Sequence, residues 1–552
     1  MSARSERTKH SLSRVWGFLR IFLRNKRGLL GVIIILFFTF MAILAPVLTP
    51  YQPLEPYLSG FYAAPTWLKY MPTFLGGDPT LSQNFQAVDS NSFSREVIDG
   101  WNLTKDSAHI SDLQMQTGIG QSNHSLAVSF NRDETGANAL TGIGNASMYC
   151  TFYYPYEGAP YRYSGTMGIY VNGTTFTSTS YHFWMNFTSM KFQNDSTTVQ
   201  SLVVVPRVHV FLERLSDGKK WAIWPNPKDS ATWWQQHYDN ITLSTEDWLQ
   251  ASPDSFNLFD AKFPGLFPGS TGATVVVDQT FSKAAGGLPG TYAFGVDISF
   301  LDVLNSTIPA QTTIYIDSAS FFCYGKSWGL LGTDNIGEDL WSQLVYGSRI
   351  SLAVGLLAAA IGVVLGLIVG LAAGFIGSTV DEVLMRFSDL LLVIPFLPLM
   401  MVLVSIMGAG IENLIIIIGF LGWMGFARVI RSQVLSLKER PFIEAARSVG
   451  AGRTHIIVRH VIPNVMPLVY VTLASSVPGA ITLEASLAFL GFSDPTRMSW
   501  GRMLNGAFFT SGSLSWWWVI IPGLCIALLA MAFILLGFAL DEVMNPRLRL
   551  RR

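Results

Sequence analysis

The chain is 552 residues long, half of them hydrophobic and only 13% charged, with a mean hydropathy of +0.35. Soluble domains carry about 25% charged residues, so a wholly soluble protein is excluded and much of the chain is expected to meet lipid. The formal net charge of zero removes the electrostatic case for nucleic-acid binding, and three cysteines are too few for a disulfide scaffold or a metal cluster.

The zero averages over unlike regions. Residues 1–27 hold eight Lys/Arg against Glu6 alone, and the tail 546–552 is basic through Arg547, Arg549, Arg551 and Arg552. Between 51 and 328, 23 Asp/Glu outnumber 14 Lys/Arg. By the positive-inside rule this places both termini in the cytoplasm. Gly28 to Leu48 is 21 residues without a charge, enough to cross a hydrocarbon core of ~30 Å. The apolar part of a cleaved signal is shorter, about 7–15 residues, so 28–50 is expected to be a first, uncleaved transmembrane helix.

Residues 51–328 have a different character: short β-rich runs alternate with Gly, Pro, Asn and Ser. Val208–Leu215 and Lys219–Trp224 flank Ser216-Asp217-Gly218, a hairpin signal. Thr274–Val277, Tyr292–Phe300, Thr312–Phe322 and Gly168–Val171 are further expected strands. The region reads as an inserted all-β sandwich, and its last strand, 313–321, resembles the closing strand of jelly-roll carbohydrate-binding modules. Of its 14 asparagines, eight stand in Asn-X-Ser/Thr: Asn102, Asn123, Asn145, Asn172, Asn186, Asn194, Asn240 and Asn305. The six asparagines elsewhere have none. Such sequons are modified only outside the cell, so the segment is expected to be a glycosylated, extracytoplasmic domain. Cys150 and Cys323 both fall in it, where an oxidised pair could persist; the separation that a bridge needs is not legible in sequence.

After Trp328 apolar spans are expected at about 347–376, 387–408, 411–430, 463–491 and 514–540, giving six with the first. Their core, 329–545, repeats Gly362, Gly366, Gly370 and Gly374 at four-residue spacing, which lets a neighbouring backbone come close. Residues 428–460 carry seven Lys/Arg against Glu439 and Glu444, which marks the connection 436–462 as cytoplasmic. Trp516-Trp517-Trp518 opens the last span as an aromatic belt at the outer side.

The connection contains Glu444-Ala445-Ala446-Arg447-Ser448-Val449-Gly450, then Arg453, then Thr454 to Val461, then Ile462-Pro463-Asn464. A short helix, a glycine break and a second basic helix capped by Thr454 are expected. Two alanines leave a flat face for another protein. Glu-Ala-Ala, three residues, Gly, then Pro463 resembles the EAA loop of ABC importer permeases. The likeness extends to Phe22–Lys26, Ala45-Pro46, Tyr51–Pro53, Gly332–Gly337, Tyr346–Ser351, Gln433–Arg440, Arg459–Asn464, Leu483–Gly491 and Asn545–Arg549. It covers about 14–53 and 329–550 and points to the C-type permease of the dipeptide/oligopeptide/nickel branch.

The resemblance implies a pore subunit that is itself no enzyme and binds no cofactor. ATP and magnesium would sit on two partner ATPase subunits, reached through Glu444, Ala445, Ala446, Arg447, Gly450 and Arg453. A second homologous permease, an extracytoplasmic binding protein and membrane lipid complete the expected partners. Some archaeal relatives handle oligosaccharides rather than peptides, and dense sequons fit an archaeal cell surface. The rival reading is a glycosylated receptor or adhesin on a helical anchor, for which one helix would suffice. Glu338 departs from the family, which usually has Arg there, and the family is silent on the insert of roughly 280 residues. The insert is expected to form a roof or side wall over the pore mouth and meet the binding protein, or else to act as a glycosylated shield or to bind sugar directly.

Inside the spans, Glu484 and Asp389 are ionisable and therefore costly. Each lies on the translocation path or in a structural ion pair, with Arg502 or Arg349 the expected partner of Glu484. His455 and His460 read as loop residues. Gly325-Lys326-Ser327 lacks the first glycine of a phosphate-binding loop.

Overall fold

The computed structural model describes residues 25–544 apart from 57, 74–76, 89–99, 118–123, 133–143, 174–182, 185–192, 195–203, 225–280, 282, 285, 303–309 and 511–514. The chain divides into two compact units. One is Ser59–Trp328; the other joins the segments on either side of it, up to Leu58 and from Gly329.

Apolar runs build the helical unit. Helix α1 (Lys26–Ile43) starts at Asn25, whose side-chain oxygen accepts from the backbone of Arg27 and Gly28. The Asn25 amide donates to Glu542 at 2.7 Å, near the end of the last helix. Helix α2 (Leu340–Ile376) starts at Asp339, which accepts from both the backbone and the hydroxyl of Ser342. There follow α3 (Ser378–Val393), α4 (Phe396–Met407), α5 (Ile411–Leu421), α6 (Met424–Lys438), α7 (Pro441–Ser448), α8 (Ile462–Phe489), α9 (Trp500–Phe509) and α10 (Trp516–Met544). Five stretches are long and apolar enough to cross a membrane: α1, α2, α5 with α6, Arg453–Phe489 and α10. A sixth is counted if α3 and α4 form one broken span.

The span expected at 387–408 is not one straight helix. Ile394 is extended, with φ −72° and ψ 131°, because the following Pro395 crowds it out of the helical region. Helices α3 and α4 therefore meet at 93°.

The glycine stripe of α2 is where another backbone comes close. A Cβ on Gly366 would lie 2.9 Å from the carbonyl of Trp423, and one on Gly370 2.6 Å from that of Ala427. On Gly374 it would lie 2.8 Å from Val434. Helix α6 thus runs against α2 at a distance that no larger residue allows.

The other unit holds two five-stranded sheets. Strand β12 (Ala310–Tyr324) is flanked by β1 (Phe85–Val88), β4 (His124–Arg132) and β6 (Arg162–Gly173), and β4 pairs with β3 (Gln114–Thr117). The second sheet runs β10 (Lys219–Trp224), β9 (Val204–Arg214), β11 (Gly290–Asp302), β5 (Gly144–Tyr154), β2 (Trp101–Lys105). One core joins them: Phe130 of β4 stacks on Phe300 of β11, and Phe321 of β12 on Phe294 of β11 at 4.8 Å. The hairpin turn between β9 and β10 forms as its residues dictate. Gly218 has φ +66°, and Asp217 accepts from Arg214 at 2.9 and 2.6 Å.

The Cys150–Cys323 bridge is not formed; both thiols are free. Cys150 lies on β5 and Cys323 on β12, in different sheets. The space around them is filled by rings, since Phe294 opposes Cys150 in register and stacks on Phe321. Burial pushes the Cys323 thiol well up, so it behaves as a core residue. Among the sequons, Asn102 and Asn145 are described with their side chains, on β2 and β5, while Asn172 and Asn194 fall on β6 and β8 (Gln193–Asn194). Asn123, Asn186, Asn240 and Asn305 lie outside the described residues, as does the expected strand 274–277.

Candidate functional site: the loop between α6 and α8

Helix α6 ends at Lys438, and Pro441 opens α7 at a position where its missing N–H costs nothing. Ile443 is fully buried, as are Ile456 and Val461 further on, in a cluster with Phe375, Ile430 and Val434. These three side chains pin the connection to the helical unit. Glu444, Ala445, Arg447, Ser448 and Gly450 are all exposed, and Ala446 is half-buried. Val449, an apolar side chain, is 89% exposed.

The helix stops in a defined way. Gly450 has φ +87°; its N–H donates to the carbonyl of Arg447 at 2.9 Å, and the next N–H, of Ala451, to that of Ala446 at 3.0 Å. This pair of bonds is a Schellman motif, which needs a residue in the left-handed region after the helix. A Cβ on Gly450 would meet nothing within 4 Å, so glycine is required there by backbone conformation and not by space. The second helical turn, Arg453–Ile456, is capped by Gly452 and not by Thr454, which lies inside it. Arg453 is exposed. Residues 457–461 then form a π-turn that leads into α8, and the Asn464 amide donates to the His460 carbonyl at 2.6 Å.

Asp389 is in an ion pair, with Arg428 of α6. Sequence reading missed its companion: Asp381 of α3 takes Arg431 through two hydrogen bonds, one of 2.6 Å. Both arginines lie on the helix that carries the loop. Among the described residues no arginine pairs with Glu484. It is buried in α8 beside the hydroxyls of Ser351, at 3.3 Å, and Ser499. Arg349 instead caps the end of α1 through the carbonyls of Ala42 and Ile43, whose intrahelical partners are missing. Arg502 donates to the carbonyls of Asp494, Pro495 and Arg497 and closes that turn.

A buried polar cluster precedes α2. Gln343 donates to Asp334 and to Glu338, each at 2.8 Å. Burial first, and then the Asp334 carboxylate, push the Glu338 carboxyl up to about 8. An unfolded Glu ionises near pH 4.3, so between about pH 4.5 and 8 the folded state holds the extra proton. Stability is therefore expected to fall as pH rises through that window and to level off above it. Melting temperatures of the detergent-solubilised protein between pH 5 and 9 check this: the slope should be much smaller in Glu338→Gln.

Residues 362–550 match the family described as "Binding-protein-dependent transport system inner membrane component". Residues 13–65 match the "N-terminal TM domain of oligopeptide transport permease C". The dipeptide transport system permease protein DppC of Bacillus subtilis is 37% identical over 219 residues, which cover 40% of this chain and 68% of the relative. The chain belongs to this family of ABC transporter permeases. The oligopeptide transport system permease protein OppC of Haemophilus influenzae is 38% identical to the permease over 223 residues, 40% of this chain and 71% of that one. The glutathione transport system permease protein GsiD of Pectobacterium atrosepticum is 34% identical over 247 residues, covering 44% and 82%. A solved inward-facing MetNI methionine ABC transporter overlaps the permease at 17% identity and a TM-score of 0.31, over 37% of this chain and 97% of that one. Neither family match reaches residues 66–361, which hold most of the β-rich unit of the permease.

Proposed function

We propose that this permease forms one half of the translocation path of an ATP-driven peptide importer. The observation that carries the reading is the loop: an exposed Glu444–Gly450 face on a backbone pinned by Ile443 and Ile456, in a chain whose relatives are named as dipeptide and oligopeptide permeases. Two ATPase subunits, carrying ATP and magnesium, dock on that face from the cytoplasm, and Arg447 and Arg453 meet acidic residues there. A second homologous permease completes the pore. An extracytoplasmic binding protein delivers substrate and meets the two-sheet unit, which we read as a β-sandwich outside the membrane.

Oligosaccharide uptake, as in some archaeal relatives, is the second reading, with strand 313–321 in its favour. The test is transport by the reconstituted complex with its cognate binding protein. Labelled di- to pentapeptides are expected to accumulate in an ATP-dependent way and oligosaccharides are not. Sugar uptake without peptide uptake overturns the substrate; uptake of neither, with no ATPase subunits copurifying, overturns the importer.

A further inference from the structure

Two sequons of the β-rich unit lie on adjacent strands with opposite chemistry. Asn102-Leu103-Thr104 is on β2 and Asn145-Ala146-Ser147 on β5. Thr104 sits directly opposite Ser147, and Asn102 opposite Tyr149. Side chains two apart on a strand share a face, so all four sequon groups project from the same side of the sheet.

The β5 sequon is fully engaged. The Asn145 amide nitrogen donates to Asp106 at 2.7 Å, and its oxygen accepts from Ser299 at 2.8 Å. The Asn145 backbone N–H also reaches Asp106, at 2.7 Å. The Ser147 hydroxyl donates to Asp297, which Lys220 holds from the other side at 2.7 Å. Both groups that a glycosyltransferase must handle are already committed to the fold. The β2 sequon differs in its bonding, although Asn145 is exposed as well. Asn102 and Thr104 are exposed, neither side chain has a hydrogen bond among the described residues, and β2 is the end strand of its sheet.

We propose that Asn102 is an N-glycosylation site and that Asn145, despite its sequon, is a structural residue that carries no glycan. The proposal rests on the reading that the β-rich unit faces outside the membrane. In the reaction, the Asn102 side-chain nitrogen bonds to the anomeric carbon of a lipid-phosphate-linked oligosaccharide. The carbon–oxygen bond to phosphate breaks, the phosphate leaves with the electron pair, and the amide gives one N–H proton to a base of the transferase. An amide nitrogen that donates to Asp106 and a hydroxyl bound to Asp297 cannot enter that chemistry without dismantling the face that holds them.

The test is glycopeptide mapping of the full chain from its native membranes, with three variants alongside. Asn102 should be modified and Asn145 bare. Asn102→Gln and Thr104→Ala should each lose one glycan's mass, while Asn145→Gln should lose none. A glycan on Asn145, or a bare Asn102 while other sequons are modified, overturns the assignment and leaves the topology standing. No glycan anywhere also overturns it; protease added to sealed cells then separates the two failures. Cutting between 59 and 328 keeps the outside reading, and protection of that stretch removes it as well.

Discussion

Peptide uptake by the reconstituted permease is expected to fall about 5–30-fold when Gly450 is replaced by valine, with membrane insertion and yield unchanged. Gly450 stands at φ +87°, where an L side chain costs roughly 1–2 kcal/mol, and that cost corresponds to a factor of about 5–30 in an equilibrium. The two Schellman bonds to Arg447 and Ala446 depend on that conformation, so a β-branched residue re-routes the chain just after the exposed Glu444–Ser448 face. Because a Cβ there meets nothing within 4 Å, no clash inside the chain clouds the result. Asparagine enters the left-handed region more readily, so uptake should rank Gly, Asn, Ala, Val in falling order. An Asp variant probes something else, the effect of a charge in the proposed interface. Wild-type uptake by the valine variant would sink the docking proposal.

The second large effect is on folding. Gly370→Val should cut the yield of monodisperse, detergent-purified protein severely and lower its melting temperature. The new Cβ would lie 2.6 Å from the Ala427 carbonyl oxygen and 2.7 Å from the Cβ of Ile430. A backbone oxygen cannot swing aside as a flexible side chain can, so α2 and α6 must part. Overpacking costs about 1–3 kcal/mol where side chains can yield, and here the strain spreads to Gly366 and Gly374, which face the same helix. Gly479→Ala is the control: a Cβ there meets nothing within 4 Å, and its stability should match wild type. Equal yields from both variants would mean that the stripe does not set the helix spacing. The two glycines, 370 and 450, thus fail for opposite reasons, one for want of room and one for want of conformational freedom.

Much of this was legible in the chain. Charge-free runs announce α1, α2 and α10, and the Glu-Ala-Ala…Gly spacing locates the loop, because length and local conformation decide both. Pro395 was in plain view, but a hydropathy window is blind to what a proline does to the residue before it, so the bend of α3 against α4 went unread. Strand β5 was missed for a different reason. Its inward residues Ala146, Met148, Phe152 and Tyr154 are buried while Asn145, Thr151 and Tyr153 are exposed, yet Ala and Ser dilute the alternation below notice. The environment of Glu484 was out of reach altogether. Its neighbours Ser351 and Ser499 are distant in sequence and ordinary in type, and an unpaired-looking carboxylate invites an arginine that in the fold is busy capping a helix or closing a turn. Asp389 did find an arginine, although Arg428 could not be chosen from the sequence over its neighbours.

The pairs Asp381–Arg431 and Asp389–Arg428 have a mechanical consequence. Going up α6 from 428 to 431 means going down α3 from 389 to 381, so the helices run antiparallel. At 1.5 Å per residue, the attachment points are about 4.5 Å apart on one helix and about 12 Å on the other. A rod held at one point can swivel; held at two, it passes on torque as well as push. A tilt of α6 is then felt at two points of α3, and the breaks that bound α3, at Gly377–Ser378 and at Ile394–Pro395, are the places where that motion can be absorbed or redirected.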